Sequence, residues 1–154
     1  MAEPLLQSNP EDAFPEDAPA KDDLGHALMA VRGATTAAAN SEEAMRSSVA
    51  ELMQTLVRDN DIRASQVVSV FFTVTQDLNA IPPPRVAREA LGWDRVPFMC
   101  FLEPDFAGMP THCIRVLVQF YTSKSQEALR PVYQYGASCL RPDWSALNNP
   151  AINR

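Results

Sequence analysis

Val67-Val-Ser-Val-Phe-Phe-Thr-Val74 is the stretch on which the fold turns. It is almost continuously apolar and rich in β-branched and aromatic side chains, so it reads as a strand rather than a helix. A run of this kind marks a strand covered on both faces, and the expectation is that it lies at the centre of a sheet. Upstream, Asn40 stands three residues before Glu43 in a capping-box arrangement. The helix it opens carries Met45, Val49, Leu52, Met53, Leu56 and Val57 on one face and ends at Asn60 and Asp61. Before that helix, Leu28 to Gly33 reads as a strand turning at Ala34, Thr35 and Thr36.

Downstream, Thr75 to Ala80 forms a polar exit, and Pro82, Pro83 and Pro84 stiffen the approach to a short helix from Pro84 or Arg85 to Leu91, stopped by Gly92. Pro97 to Leu102 is a further strand ending at Glu103. Pro104, Gly108 and Pro110 then make the loop into a long strand from His112 to Thr122. Arg115 alternates there with Ile114 and Val116 and points away from their face. Ser123 with Gln126 can cap a short helix before Tyr133, and Gly136 to Leu140 reads as a last strand ending at Arg141. The order βαβαββαβ predicts an α+β fold, a mixed β-sheet with helices packed on it.

The chain divides near Gly25. Residues 1–25 hold seven acids against Lys21, so the net charge of −6 lies there, together with Pro4, Pro10, Pro15 and Pro19. Such a tail buries too little apolar surface to offset the entropy of ordering, and disorder is expected. Its composition fits neither a secretory signal nor a transit peptide, so neither export nor import is expected. Residues 26–143 read as one domain and residues 144–154 as a loose end. No apolar stretch approaches the roughly 20 residues of a membrane span. Cys100, Cys113 and Cys139 lack CxxC spacing and read as reduced thiols, which suits a cytoplasmic location.

The body beyond residue 25 is neutral and has no basic run to follow a phosphate backbone, which argues against nucleic acid as a partner. Its cations are instead almost all arginines. Arg32, Arg88, Arg115, Arg130 and Arg141 fall beside strand or helix ends, and arginine's planar fork suits carboxylates. A site for a small, multiply charged carboxylate is the expectation. His26 and His112 are isolated, so no metal site is expected. There is no nucleophile motif and no phosphate-cradling glycine loop.

Several segments, in order, then carry a resemblance: Val31-Arg32-Gly33-Ala34-Thr35-Thr36, Phe72-Thr-Val-Thr-Gln-Asp-Leu-Asn-Ala80, Val96-Pro97 with Cys100 and Glu103, Cys113-Ile-Arg-Val116, Val132-Tyr133 and Leu140-Arg-Pro-Asp143. From about Val31 to Asp143 the chain resembles the monofunctional AroH-class chorismate mutases, ungapped in spacing. The resemblance implies a pseudo α/β-barrel homotrimer with active sites between subunits, converting chorismate to prephenate for phenylalanine and tyrosine synthesis without a cofactor. It implies that Arg115 stabilises the departing ether oxygen, and that Arg32 with Tyr133 binds a carboxylate. Glu103 would accept from the ring hydroxyl, with Cys100 close by. Arg88 would come from the neighbouring subunit, Arg85 fills a position that is usually basic, and Arg141, beside Leu140, would close over the ligand. Met99, Phe101 and Leu102 belong to the strand lining the site. Arg130 matches no catalytic position and reads as surface pairing. Pro82 and Pro84, with Phe98 and Met99, depart from the family's usual residues and imply a stiffer, narrower cleft. Two other readings remain at this point, a non-catalytic trimeric module binding a small carboxylate and a trimeric enamine/imine deaminase.

Overall fold

The computed structural model describes residues 20–144. Five strands form one mixed sheet: β1 (Ala27–Thr36), β2 (Val67–Val74), β3 (Phe98–Leu102), β4 (Cys113–Thr122) and β5 (Val132–Tyr133). Their spatial order is β3-β2-β4-β1-β5. The contacts β1–β4 and β2–β4 are antiparallel, and β2–β3 and β1–β5 are parallel. The mixed sheet with packed helices bears out the expected class. The centre does not fall where the apolar run placed it, because β4 is central and β2 lies between it and the edge strand β3. Apolar content alone misled here. Val70 and Phe72 are fully buried, whereas Phe71 is only part-buried and Val68 is 41% exposed, so β2 is covered on one face.

Both helices lie on that face. Helix α1 (Glu42–Asn60) buries Met45, Val49, Leu52, Met53 and Leu56, a spacing that follows the helical period, against Val31, Phe72, Ile114, Val116, Val118 and Phe120 of the strands. Ser41, not Asn40, caps it: the Ser41 hydroxyl accepts from the Ala44 N–H at 3.2 Å. Asn40 has other work, its side-chain oxygen accepting from the backbone N–H groups of Asn79 and Ala80 at 2.9 and 3.1 Å. Helix α2 (Pro83–Leu91) starts with prolines, whose missing N–H groups cost nothing in a first turn, and ends at Gly92 in the left-handed region. Val86, Ala87 and the neighbouring Trp93 complete the core.

Three further expectations are corrected. Strand β1 runs on through Thr36, paired with Cys113, because β4 offers it a partner across the sequence that read as a turn. Gln126–Ala128 is a 3-10 turn whose preceding Ser125 makes no side-chain cap. Tyr135–Leu140 is a 3-10 turn rather than a last strand, and the terminal strand is the shorter Val132–Tyr133. Tyr135 takes φ 49°, which breaks extended pairing, and its hydroxyl donates to Glu51 at 2.7 Å. The acidic tail expected over residues 1–25 falls for residues 1–19, and the loose end for residues 145–154, outside the described residues. At residues 20–25 the chain turns at Asp22, whose carboxylate accepts from the N–H groups of Leu24 and His26. No helix among the described residues is long and apolar enough to cross a membrane.

Candidate active site

Strand pairing lines up the opposite face. Reading the register across all five strands gives one row, Phe101–Thr73–Arg115–Ala34–Tyr133, with Met99–Phe71–Leu117–Arg32 beside it. Alternation puts these side chains on the face without helices. At its β5 end the Tyr135–Leu140 turn closes over Ala34 and Cys113 with Ala137, Tyr133 and Leu140.

A cleft of about 730 Å³ lies on this face, bordered by Arg32, Thr73, Glu103, Met109, Arg115, Tyr133, Leu140 and Arg141. At its floor the Arg115 Nη1 stands 3.4 Å from Glu103 Oε1, the two side chains 24% and 12% exposed. Glu103 is fixed by its own N–H, which donates to the Val74 carbonyl at 2.7 Å and extends the β2–β3 ladder. Arg115 Nη2 meets the Met109 sulfur at 4.0 Å. The Arg115 Nε and the Thr73 hydroxyl are both buried with no hydrogen-bond partner among the described residues. A part-buried guanidinium with donor capacity to spare is suited to an anion.

The loop from Glu103 to His112 closes one side. Asp77 anchors it: its carboxylate accepts from the His112 N–H at 2.9 Å and from the Thr75 hydroxyl, which itself accepts from the Cys113 N–H at 2.9 Å. Burial pushes the Asp77 carboxyl upward, but hydrogen bonds from Thr75 and the His112 N–H, with the charge of His112, outweigh it and hold the group below its ordinary range. Burial pushes the Cys113 thiol up, with only partial relief from Arg115, so it stays protonated and unreactive.

The expected residues are only partly gathered. Arg32, Glu103, Arg115, Tyr133, Leu140 and Arg141 border the one cleft. Arg141 lies with its guanidinium on Asp143 through two bonds of 3.0 and 2.8 Å and 3.8 Å over the Trp144 ring, and Asp143 is the main cause of its raised pKa. Arg85 and Arg88 are on α2 and do not border the cleft, and Arg85 pairs with Glu89 at 2.9 Å. On β3, Met99 and Phe101 face the cleft side, while Cys100 and Leu102 point to the other. Arg130 borders a larger cavity of about 910 Å³ that shares Arg32 and Leu117 with the cleft but lacks the Arg115–Glu103 pair. Phe71, Thr73 and Met109 were not singled out from sequence. The β2–β4 register, which sets Thr73 opposite Arg115 and Phe71 opposite Leu117, is what brings in the first two.

Comparison with known proteins identifies the family. Residues 28–144 match the family model described as chorismate mutase type I. The chain belongs to the type I chorismate mutase family. It is 34% identical over 125 residues to chorismate mutase AroH of Bacillus subtilis (strain 168), covering 81% of this chain and 98% of that protein. It is 35% identical over 117 residues to chorismate mutase AroH of Thermus thermophilus, covering 75% and 95%. Among solved structures, a chorismate mutase from Clostridium thermocellum superimposes with a TM-score of 0.69 at 33% identity, over 72% of this chain and 98% of that one. The type I chorismate mutase match runs from Leu28 to Trp144 and hence covers every residue bordering the cleft.

Proposed function

We propose that the cleft over Arg115 is where this chorismate mutase converts chorismate to prephenate. The observation that carries the reading is the Arg115–Glu103 pair, a cation and an acceptor 3.4 Å apart on a rigid sheet. In the rearrangement the ether C–O bond breaks ahead of C–C bond formation, and negative charge gathers on the ether oxygen. Arg115 stabilises that charge more than it stabilises the substrate, which is what lowers the barrier. Glu103 accepts from the ring hydroxyl. Arg32 and Tyr133, at the far side of the cleft, hold a carboxylate and fold the enolpyruvyl arm over the ring, removing conformers that cannot react. Every bond made or broken lies within the substrate, so the reading calls for no cofactor.

The helix-free face supports a homotrimer with sites between subunits. Leu28, Met99, Phe101 and Tyr121 are each more than 40% exposed on it, and large apolar side chains left open on one sheet face fit a partner surface. Packing another copy against this face brings in the cations the cleft lacks, Arg88 with Arg85, and lets the exposed β3 side chains border a neighbour's site. Arg141 leaves Asp143 for the bound ligand.

The test is loss of chorismate absorbance with prephenate identified as product, for the wild type and Arg115→Ala, with light scattering on both. Removal of one preorganised donor typically costs a factor of about 10² to 10³, and a charged one more. A folded, trimeric Arg115→Ala protein retaining wild-type turnover would refute the site, and a monomeric active enzyme would refute the intersubunit arrangement.

A further inference from the structure

Thr73 and Arg115 are directly opposed in the β2–β4 register and face the same side. Each has one polar atom buried without a hydrogen-bond partner among the described residues, the Thr73 Oγ1 and the Arg115 Nε. Buried polar atoms in folded proteins are almost always paired, so two complementary orphans on opposed residues call for an explanation. Neither neighbour in the row can supply a partner, and the Cys113 thiol on which Arg115 acts is only a weak acceptor. Phe101 lies across from Thr73 and stacks on Phe71 at 6.2 Å, and Ala34 lies across from Arg115. A strand-forming, β-branched residue of the same shape and without the orphan would be valine.

We propose that Thr73 is a positioning residue for Arg115. The guanidinium leans on Glu103 through Nη1 and on Met109 through Nη2. When an anion takes the Nη groups, the Nε–H donates to the Thr73 hydroxyl, and the guanidinium plane is fixed from the strand beneath it. The inference rests on the cleft over Arg115 being the reaction site.

Thr73→Val tests it because the change is nearly isosteric and removes an unpaired hydroxyl. The expected result is a kcat lower by about 10- to 100-fold, the scale of a small misplacement of a catalytic group, with KM changed by less than about threefold. The melting temperature should be unchanged or higher, since no protein hydrogen bond is lost in the free enzyme. Thr73→Ser should recover most of the turnover. A kcat for Thr73→Val within about twofold of wild type overturns the proposal, as does a loss accompanied by lowered melting temperature or not recovered by serine. Arg115→Ala is run beside them. If it is inactive while Thr73→Val is unaffected, the role of Thr73 alone falls; if it turns over normally, the cleft reading falls and Thr73 with it.

Discussion

Replacing Gly33 by alanine should destabilise the chain although its φ permits any residue. A Cβ built there lies 3.1 Å from Leu52 Cδ1 and 3.1 Å from Val116 Cγ1, and 3.4 Å from the Val132 carbonyl oxygen. Carbon contacts are comfortable at about 3.5–4.0 Å, so the two carbon contacts are short by roughly 0.4–0.9 Å. Val116 is stiff at its branch, the Val132 oxygen belongs to backbone paired with β1, and Leu52 is fully buried. Overpacking of this kind costs about 1–3 kcal/mol. Loss of glycine's chain freedom returns about 0.5–1 kcal/mol. The net is a destabilisation centred on about 1 kcal/mol, or a melting temperature lower by about 2–4 °C for a chain of this size. The decisive control is Leu52→Ala, which alone should cost about 2–5 kcal/mol by opening a cavity. Because the new methyl enters that space, the double variant should be more stable than the sum of the single effects by about 1 kcal/mol. Thermal melts at one fixed protein concentration read all four proteins. Additive losses, or a Gly33→Ala protein as stable as wild type, would show that α1 is not pressed against the Arg32–Ala34 strand as described.

Asn60→Ala should cost about 2–4 kcal/mol by denaturant unfolding, because buried Asn60 holds both the N–H and the carbonyl of Arg130 at 2.7 and 2.9 Å and each would lose its partner. Asp77 has a folded pKa below its ordinary value, so its contribution is complete above about pH 4 and disappears as pH falls through the folded pKa. Asp77→Asn should therefore melt lower at neutral pH, with the gap to wild type closing in acid; a constant gap would refute the linkage. If the proposed trimer packs through this face, Phe101→Asp, at an exposed site, should leave the chain folded by circular dichroism but lower its mass in light scattering from trimer to smaller species. A trimer of unchanged stability would place the interface elsewhere.

How much of this was visible in the sequence varied with the range of the interaction. Alternation around Arg115 and the helical spacing from Met45 to Leu56 are local, and both elements formed where the pattern placed them. The centre of the sheet was not local. Phe71 and Val68 made β2 look covered on both sides, although the described residues cover its second face only in part. Gly136 to Leu140 looked extended because the left-handed turn at Tyr135 is sustained by Glu51, 84 positions away in sequence. Asn40 was equally ambiguous: it fits a cap, but its partners Asn79 and Ala80 lie in a distant loop. Of the site, Arg115, Glu103, Arg32 and Tyr133 were reached through the motif, and the cleft does join them. Thr73 needed the strand register, which no single segment contains.

With the proposed site over Arg115, that register would make turnover a reporter of chain alignment. Arg115 lies in a row formed by partners on all five strands. If β4 slid by one residue, Arg115 would turn under α1 and Val116 would take its place in the cleft. A misaligned molecule could keep nearly all its secondary structure and still be silent in the assay. Added residues in the 104–111 loop should consequently be tolerated far better than one residue added within β4, and the ratio of activity to helical signal measures the fraction of chains that are correctly threaded.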